Sequence, residues 1–138
     1  METYQVTIKH LASLSLSSVA VNQTESESTG EFTLETTIDG TTCRGTSEFF
    51  FAAFQNLRDK LLSIGYGMNC CGALINAHQS PMMAVCEKIY LVTPGQKTYR
   101  KDMVCIFDPA IPESYPDTQQ QESFKEAWWR SLQSLAKE

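Results

Sequence analysis

Cys70 and Cys71, followed by His78, are residues that could act as nucleophile and base, because an imidazole that takes a thiol proton leaves a reactive thiolate. Their arrangement speaks against it. Successive strand residues point to opposite faces, so only one of the adjacent thiols can address a given pocket, and no glycine-rich oxyanion turn or cysteine-enzyme signature surrounds them. The competing reading is a pair of buried thiols packed as small apolar residues. Cys70, Cys86, Cys105 and His78 are the ligand types on hand for a metal, but their spacing fits no zinc pattern. Ser80 has no G-x-S-x-G turn that would make it a nucleophile, and Ser80-Pro81 reads as an ordinary turn. The acids between residues 25 and 39 fall on a loop and an exposed strand face, where they would be solvated rather than poised as a hydrolytic pair. No phosphate-cradling motif is present. The chain therefore reads as a binder without catalytic residues, metal or cofactor.

The elements that must position these residues follow from periodicity. Tyr4, Val6 and Ile8 alternate with polar residues as in a half-buried strand, which the pattern extends towards Leu16, and the polar run Asn22–Gly30 reads as a long hairpin loop. Phe32, Leu34, Thr36 and Ile38 alternate again, and Asp39-Gly40 suits a type I′ turn into Thr41–Gly45, giving a hairpin with an acidic outer face. Thr46 or Ser47 can cap a helix with an apolar stripe of Phe50, Phe54, Leu57 and Leu61, ended by Gly65. Tyr66–Cys71, Cys86–Val92 and Met103–Phe107 read as strands, separated by a loop carrying Asn76, His78, Ser80 and Pro81. A last helix starts at Asp117 or Thr118, with Thr118 and Gln121 as its capping box and Phe124, Trp128, Ser131, Leu132 and Leu135 as its stripe. Trp129 is then either at the edge of that stripe or an exposed aromatic anchor. The expected fold is α+β, one domain over 1–138, a mainly antiparallel sheet of about five to six strands packed by two helices, about 47–64 and 118–137.

Composition narrows the setting. The longest apolar run, Phe49–Phe54, is far short of the roughly 20 residues a bilayer crossing needs. The N-terminus lacks the basic start and continuous apolar segment of a secretory signal, which with five unpatterned cysteines predicts a reduced, cytoplasmic protein away from the membrane. The net charge of −5 is concentrated: residues 1–48 carry Glu2, Glu25, Glu27, Glu31, Glu35, Asp39 and Glu48 against Lys9 and Arg44, and the remainder is neutral. Such a segment repels phosphates, so nucleic acid is not the expected partner, whereas a basic protein would be steered towards it. The alternative is a solvated acidic face that serves solubility.

The run Asn69–Met82, with Cys-x-Gly-Ala at Cys70–Ala73 followed by Ser80-Pro81-Met82, resembles a family of small bacterial proteins. Val104–Asp108 is similar to that family's Val-x-Ile-Phe-Asp strand, and Thr118–Leu132 to its C-terminal helix. These proteins accompany polymorphic toxin systems, where immunity proteins of contact-dependent growth inhibition bind and block a cognate toxin domain. The resemblance implies such an immunity protein, with the toxin's C-terminal domain as partner, and carries no functional residue with it. Charge points to the partner-binding residues instead: Glu25, Glu27, Glu31, Glu35 and Asp39 on the acidic loop and hairpin, with Trp129 as anchor, docking on a basic nuclease. A second reading is a small enzyme or ligand-binding domain whose 72–84 loop sets Cys71, Asn76, His78 and Ser80 around a pocket. Monomer and weak homodimer both remain open.

Overall fold

The computed structural model describes residues 1–136. The first alternating run forms β1 (Glu2–His10), but the chain turns at Leu11–Ser13 instead of running on. β2 (Leu16–Glu25) then returns antiparallel to β1 in the register Val6↔Val19. Asn22–Glu25, expected as loop, is therefore strand, and the connection shrinks to the residues between Glu25 and Phe32. The reason is one-sided solvation: only Val19 and Val21 of β2 carry apolar side chains into the core, and on the opposite face Ser18, Asn22 and Thr24 meet water, where sheet hydrogen bonds suffice to hold them.

β3 (Phe32–Ile38) and β4 (Thr41–Ser47) form the expected hairpin, with Ile38 opposite Thr41. Asp39 and Gly40 between them have φ of 49° and 80°, the left-handed pair that a type I′ turn demands. α1 (Phe50–Ser63) buries Phe50, Phe54, Leu57 and Leu61 as the spacing predicts. Neither Thr46 nor Ser47 caps it. The N-cap is Phe49, because tertiary acceptors serve the first amides: Phe50 N–H donates to the Ala84 carbonyl at 2.7 Å and Phe51 N–H to Gln79 Oε1 at 3.1 Å. Gly65, φ 91°, ends the helix.

β5 (Tyr66–Asn69) pairs with β1, giving a curled five-stranded sheet in the order β4-β3-β2-β1-β5, whose inner face α1 covers from one edge to the other. Approach is closest at Gly45, where an added Cβ would lie 2.1 Å from the Ala53 carbonyl oxygen. α1 also seals the edge strand. Asn56 Nδ2 and Lys60 Nζ donate to the Thr46 and Arg44 carbonyls at 3.0 and 2.5 Å.

The chain beyond β5 leaves strand geometry sooner than expected, at a 3-10 turn over Cys71–Ala73. β6 (Ala77–His78), β7 (Lys88–Leu91) and β8 (Met103–Cys105) make a second, antiparallel sheet in that order, shorter than the predicted Cys86–Val92 and Met103–Phe107. Phe107 joins the two layers, stacking on Tyr4 at 4.4 Å and meeting the rings of Phe54 and Phe50 edge-on at 5.7 and 6.4 Å. The architecture is α+β, with eight strands in two sheets and two helices among the described residues.

α2 (Thr118–Ala136) is capped by Asp117 and Gln120, each side chain accepting from the other's backbone N–H at 2.9 Å. The predicted Thr118–Gln121 box is thus displaced by one residue, which frees both for the core. Thr118 Oγ1 donates to Asp59 Oδ2 at 2.6 Å. Gln121 accepts from Gln55 Nε2 (3.0 Å) and Arg58 Nη2 (2.7 Å), and donates to the carbonyls of Gly72 (2.9 Å) and Leu74 (2.7 Å). In the predicted stripe, Trp128 is buried and Phe124, Ser131 and Leu132 are half-buried. The Leu135 side chain and residue 137, the expected last residue, lie outside the described residues.

Replacing Gln121 by Leu would fill the space yet leave two buried carbonyls and part of the Arg58 guanidinium without partners. A loss of about 3 kcal/mol or more is expected, to be read from the urea midpoint, whereas Gln120→Leu should lose only a cap worth about 1 kcal/mol.

Candidate partner-binding surface

The five candidate acids do not share one face. Glu35 pairs with Arg44, its register partner across the hairpin, on the solvated face of the sheet. Glu25 lies opposite Phe32, and therefore on the side that faces α1, at its exposed margin. Asp39 sits at the other end of β3, roughly 25 Å along the strand from Glu31, where its Oδ2 accepts from the Tyr66 hydroxyl at 2.8 Å. Only Glu25, Glu27 and Glu31 gather, at the β2–β3 turn. None of the three has an ion-pair partner among the described residues.

That turn is joined through the register to other groups. Phe32 faces Ser47 as well as Glu25, so exposed Glu48 and Phe49 leave the sheet at the same end. The bond from Phe50 N–H to Ala84 O then lays the 81–86 segment against the start of α1. Met82 in this segment is 97% exposed and Val85 71%. Glu2 and Glu87 stand nearby. After burial, their charges are the next largest causes that raise the Tyr4 phenol above its ordinary pKa. Acidic groups thus gather at the end of the sheet where Phe49, Met82 and Val85 are exposed.

Pro81, next to Met82, lines a groove of about 790 Å³ between α2 and the second sheet, with His78, Tyr90, Lys125, Trp128 and Trp129 among its walls. Trp128 is held by its Nε1–H donating to the Gln96 carbonyl at 2.9 Å. Trp129, tilted against it at 6.1 Å, is 56% exposed and forms a ridge between this groove and a second hollow beside Lys97 and Leu132. Of the two readings of Trp129, the exposed aromatic describes its position. Burial, then Lys125, lowers the His78 pKa against the opposing pull of Glu122, which favours the neutral imidazole in the groove. Lys125 pairs with Glu122 at 2.7 Å and Arg130 with Glu126 at 3.8 Å.

The expected 72–84 pocket is divided. His78 and Ser80 line the groove, Asn76 donates to the Val92 carbonyl in a different hollow, and Cys71 is buried. Cys70 lies in the core, where burial pushes its thiol up to about 12. Burial first, then Asp108 and Cys105, raises Cys71 as well. Neither thiol is arranged as an activated nucleophile. Among the described residues no three His, Cys, Asp or Glu side chains gather to hold a metal, and no helix is long and apolar enough to cross a membrane. The sequence reading missed Phe49, Met82 and Val85. The apolar run Met82-Met83-Ala84-Val85-Cys86 directly after Ser80-Pro81 was the available signal.

Alkylation near neutral pH should label Cys86 and Cys105, both half-exposed, while Cys43, Cys70 and Cys71 react only on unfolding, as peptide mass spectrometry would read. The Cys70 thiol titrates at about 12 folded against 9.0 as a free group, so its stabilisation is complete below pH 9 and is lost as pH rises towards 12. A Cys70→Ala variant should lack that part of the alkaline fall in stability.

The chain matches no protein-family model and no curated protein.

Proposed function

We propose that this is a binding protein without chemistry of its own, a cytoplasmic immunity protein that neutralises the C-terminal domain of a cognate toxin, a basic nuclease, by covering its active site. The observation that carries this reading is the surface just described. Unpaired acids at Glu25, Glu27 and Glu31 flank exposed Phe49, Met82 and Val85, which lead to the Trp129 ridge. Apolar anchors within a charged surround are the anatomy of a protein interface, and a prominent Trp is the commonest energetic centre of one. Carboxylates without internal partners would steer a basic surface into contact and compete with nucleic acid for it. The raised thiol pKa values support binding over thiolate catalysis. A small-molecule ligand in the His78–Tyr90–Trp128 groove is the second reading, favoured by the groove's size and aromatic walls.

The partner to test is the C-terminal domain of a large secreted protein encoded beside this gene, which is where a toxin–immunity pair would place it. Glu25→Lys, Glu27→Lys and Glu31→Lys together should weaken association at least tenfold, mainly through the on-rate, and flatten its dependence on salt. Trp129→Ala should cost about 2 kcal/mol, mainly as faster dissociation. Full affinity in both variants would remove the protein-interface reading, and a metabolite co-purifying in the groove would favour the second.

A further inference from the structure

The end of the sheet opposite the acidic turn is built differently. The β2–β3 ladder stops at Asn22↔Glu35, and beyond it Thr36 Oγ1 donates to the Ala20 carbonyl at 2.8 Å in place of a strand bond. The strands part there, and the curled sheet opens into a mouth of about 280 Å³ lined by His10, Ser15, Ser17, Ile38, Asp39 and Tyr66. Ser17 pairs with Ile8, and His10 with Tyr66, in positions whose parity faces the core. Polar residues therefore occupy the places that Ile8, Val6 and Leu34 fill with apolar side chains further in. Polar side chains that line a cavity at this end of the face suit a polar occupant.

The groups define what kind. Asp39 has no ion-pair partner among the described residues, and one carboxylate oxygen is occupied by the Tyr66 hydroxyl. The turn does not require the charge, since Asn-Gly meets the same left-handed geometry. The bond from Tyr66 to Asp39 spans from β5 to the β3–β4 turn although β1 and β2 lie between in the sheet, which holds the carboxylate at the rim. The Tyr66 and His10 rings, centroids 5.1 Å apart, form an aromatic wall. Seryl hydroxyls complete it, with His10 Nδ1 fixed by Ser13 Oγ at 2.7 Å and Ser13 by Ser15 at 2.8 Å. A carboxylate beside aromatic rings is the recognition chemistry of an organic cation.

We infer that the mouth formed by Asp39, Tyr66, His10 and Ser17 is a binding site for an alkylammonium or guanidinium group. Its volume is below the range of drug-sized sites, and suits the end of a lysine or arginine side chain or a small free amine. The site is independent of the toxin-binding surface, because Asp39 and Glu31 lie at opposite ends of β3.

The test is an NMR titration of the full chain with n-butylammonium and with methylguanidinium, using neutral n-butanol as control. Saturable shifts confined to His10, Ser17, Asp39 and Tyr66, absent with n-butanol, are the expected result. Asp39→Asn keeps the turn and should weaken binding at least tenfold, whereas Tyr66→Phe keeps the carboxylate and should retain most of it. A peptide amide containing lysine, compared with its norleucine counterpart, separates the two sources. Saturation by n-butylammonium shows that a free amine suffices, and saturation by the lysine peptide alone assigns the site to a protein side chain. Absence of saturable shifts with all three cationic probes, equal shifts with n-butanol, or full binding by a folded Asp39→Asn variant would overturn the inference. If Asp39→Asn fails to fold, the contrast between n-butylammonium and n-butanol on the unaltered chain decides it.

Discussion

A guanidinium buried between two helices organises this fold. Arg58 is 1% exposed, and burial lowers its pKa against the support of Asp59. Its Nε donates to Asp59 Oδ1 at 2.8 Å and its Nη2 to Gln121 Oε1 and Thr118 Oγ1, while Nη1 finds no partner among the described residues. A charge withdrawn from water in this way is tolerated only while its acceptors stay in place. One acceptor belongs to α1 and two to α2, and Gln121 also holds the Gly72 and Leu74 carbonyls. Docking of α2 is therefore coupled to the 3-10 turn after β5. Since Trp128 and Trp129 ride on α2, the groove exists only when this network is closed.

The same topology determines how the molecule can associate. Strand addition, the commonest hazard of an open sheet, is hindered at both edges of the five-stranded layer. Two β4 carbonyls accept from Asn56 and Lys60, and β5 leads into a bridge between Cys70 and Pro109. Tyr115 adds cover, its ring filling the space above Gly67 and its hydroxyl donating to Asn69 at 2.6 Å. Side-chain surfaces, rather than its strand edges, are therefore what the five-stranded layer offers to another molecule.

What could be read in advance followed local rules. The Asp39-Gly40 hairpin, the α1 stripe and Gly65 each depend on neighbours in sequence, and each is where periodicity or turn chemistry places it. What was missed depends on distant partners. α1 needs no Ser47 cap because Gln79 and Ala84 reach it from some 30 residues away. Gln121 resembles a capping residue until Arg58 and the 72–74 carbonyls are seen around it. The end of β2, Asn22–Glu25, hid as a loop because a strand with one wet face needs few apolar residues. The grouping of acids was misjudged for a related reason: sequence adjacency ignores that a strand separates its two ends and alternates its two faces.

That separation alters how the net charge of −5 can act. Glu35 is neutralised in place by Arg44. Asp39, about 25 Å from the β2–β3 turn, is screened from it by more than two Debye lengths at physiological salt. The acids therefore do not sum to one broad field on the hairpin. They resolve into a cluster at one end of the sheet, with Glu2, Glu48 and Glu87 reinforcing Glu25, Glu27 and Glu31, and a single carboxylate at the other. A cluster acts at a distance and sets the rate of encounter, whereas a lone carboxylate in a cavity acts only on a group that enters it. The curl of one sheet, with α1 running beneath it, places these two electrostatic environments at opposite ends of the same strands, too far apart to act on each other through physiological salt.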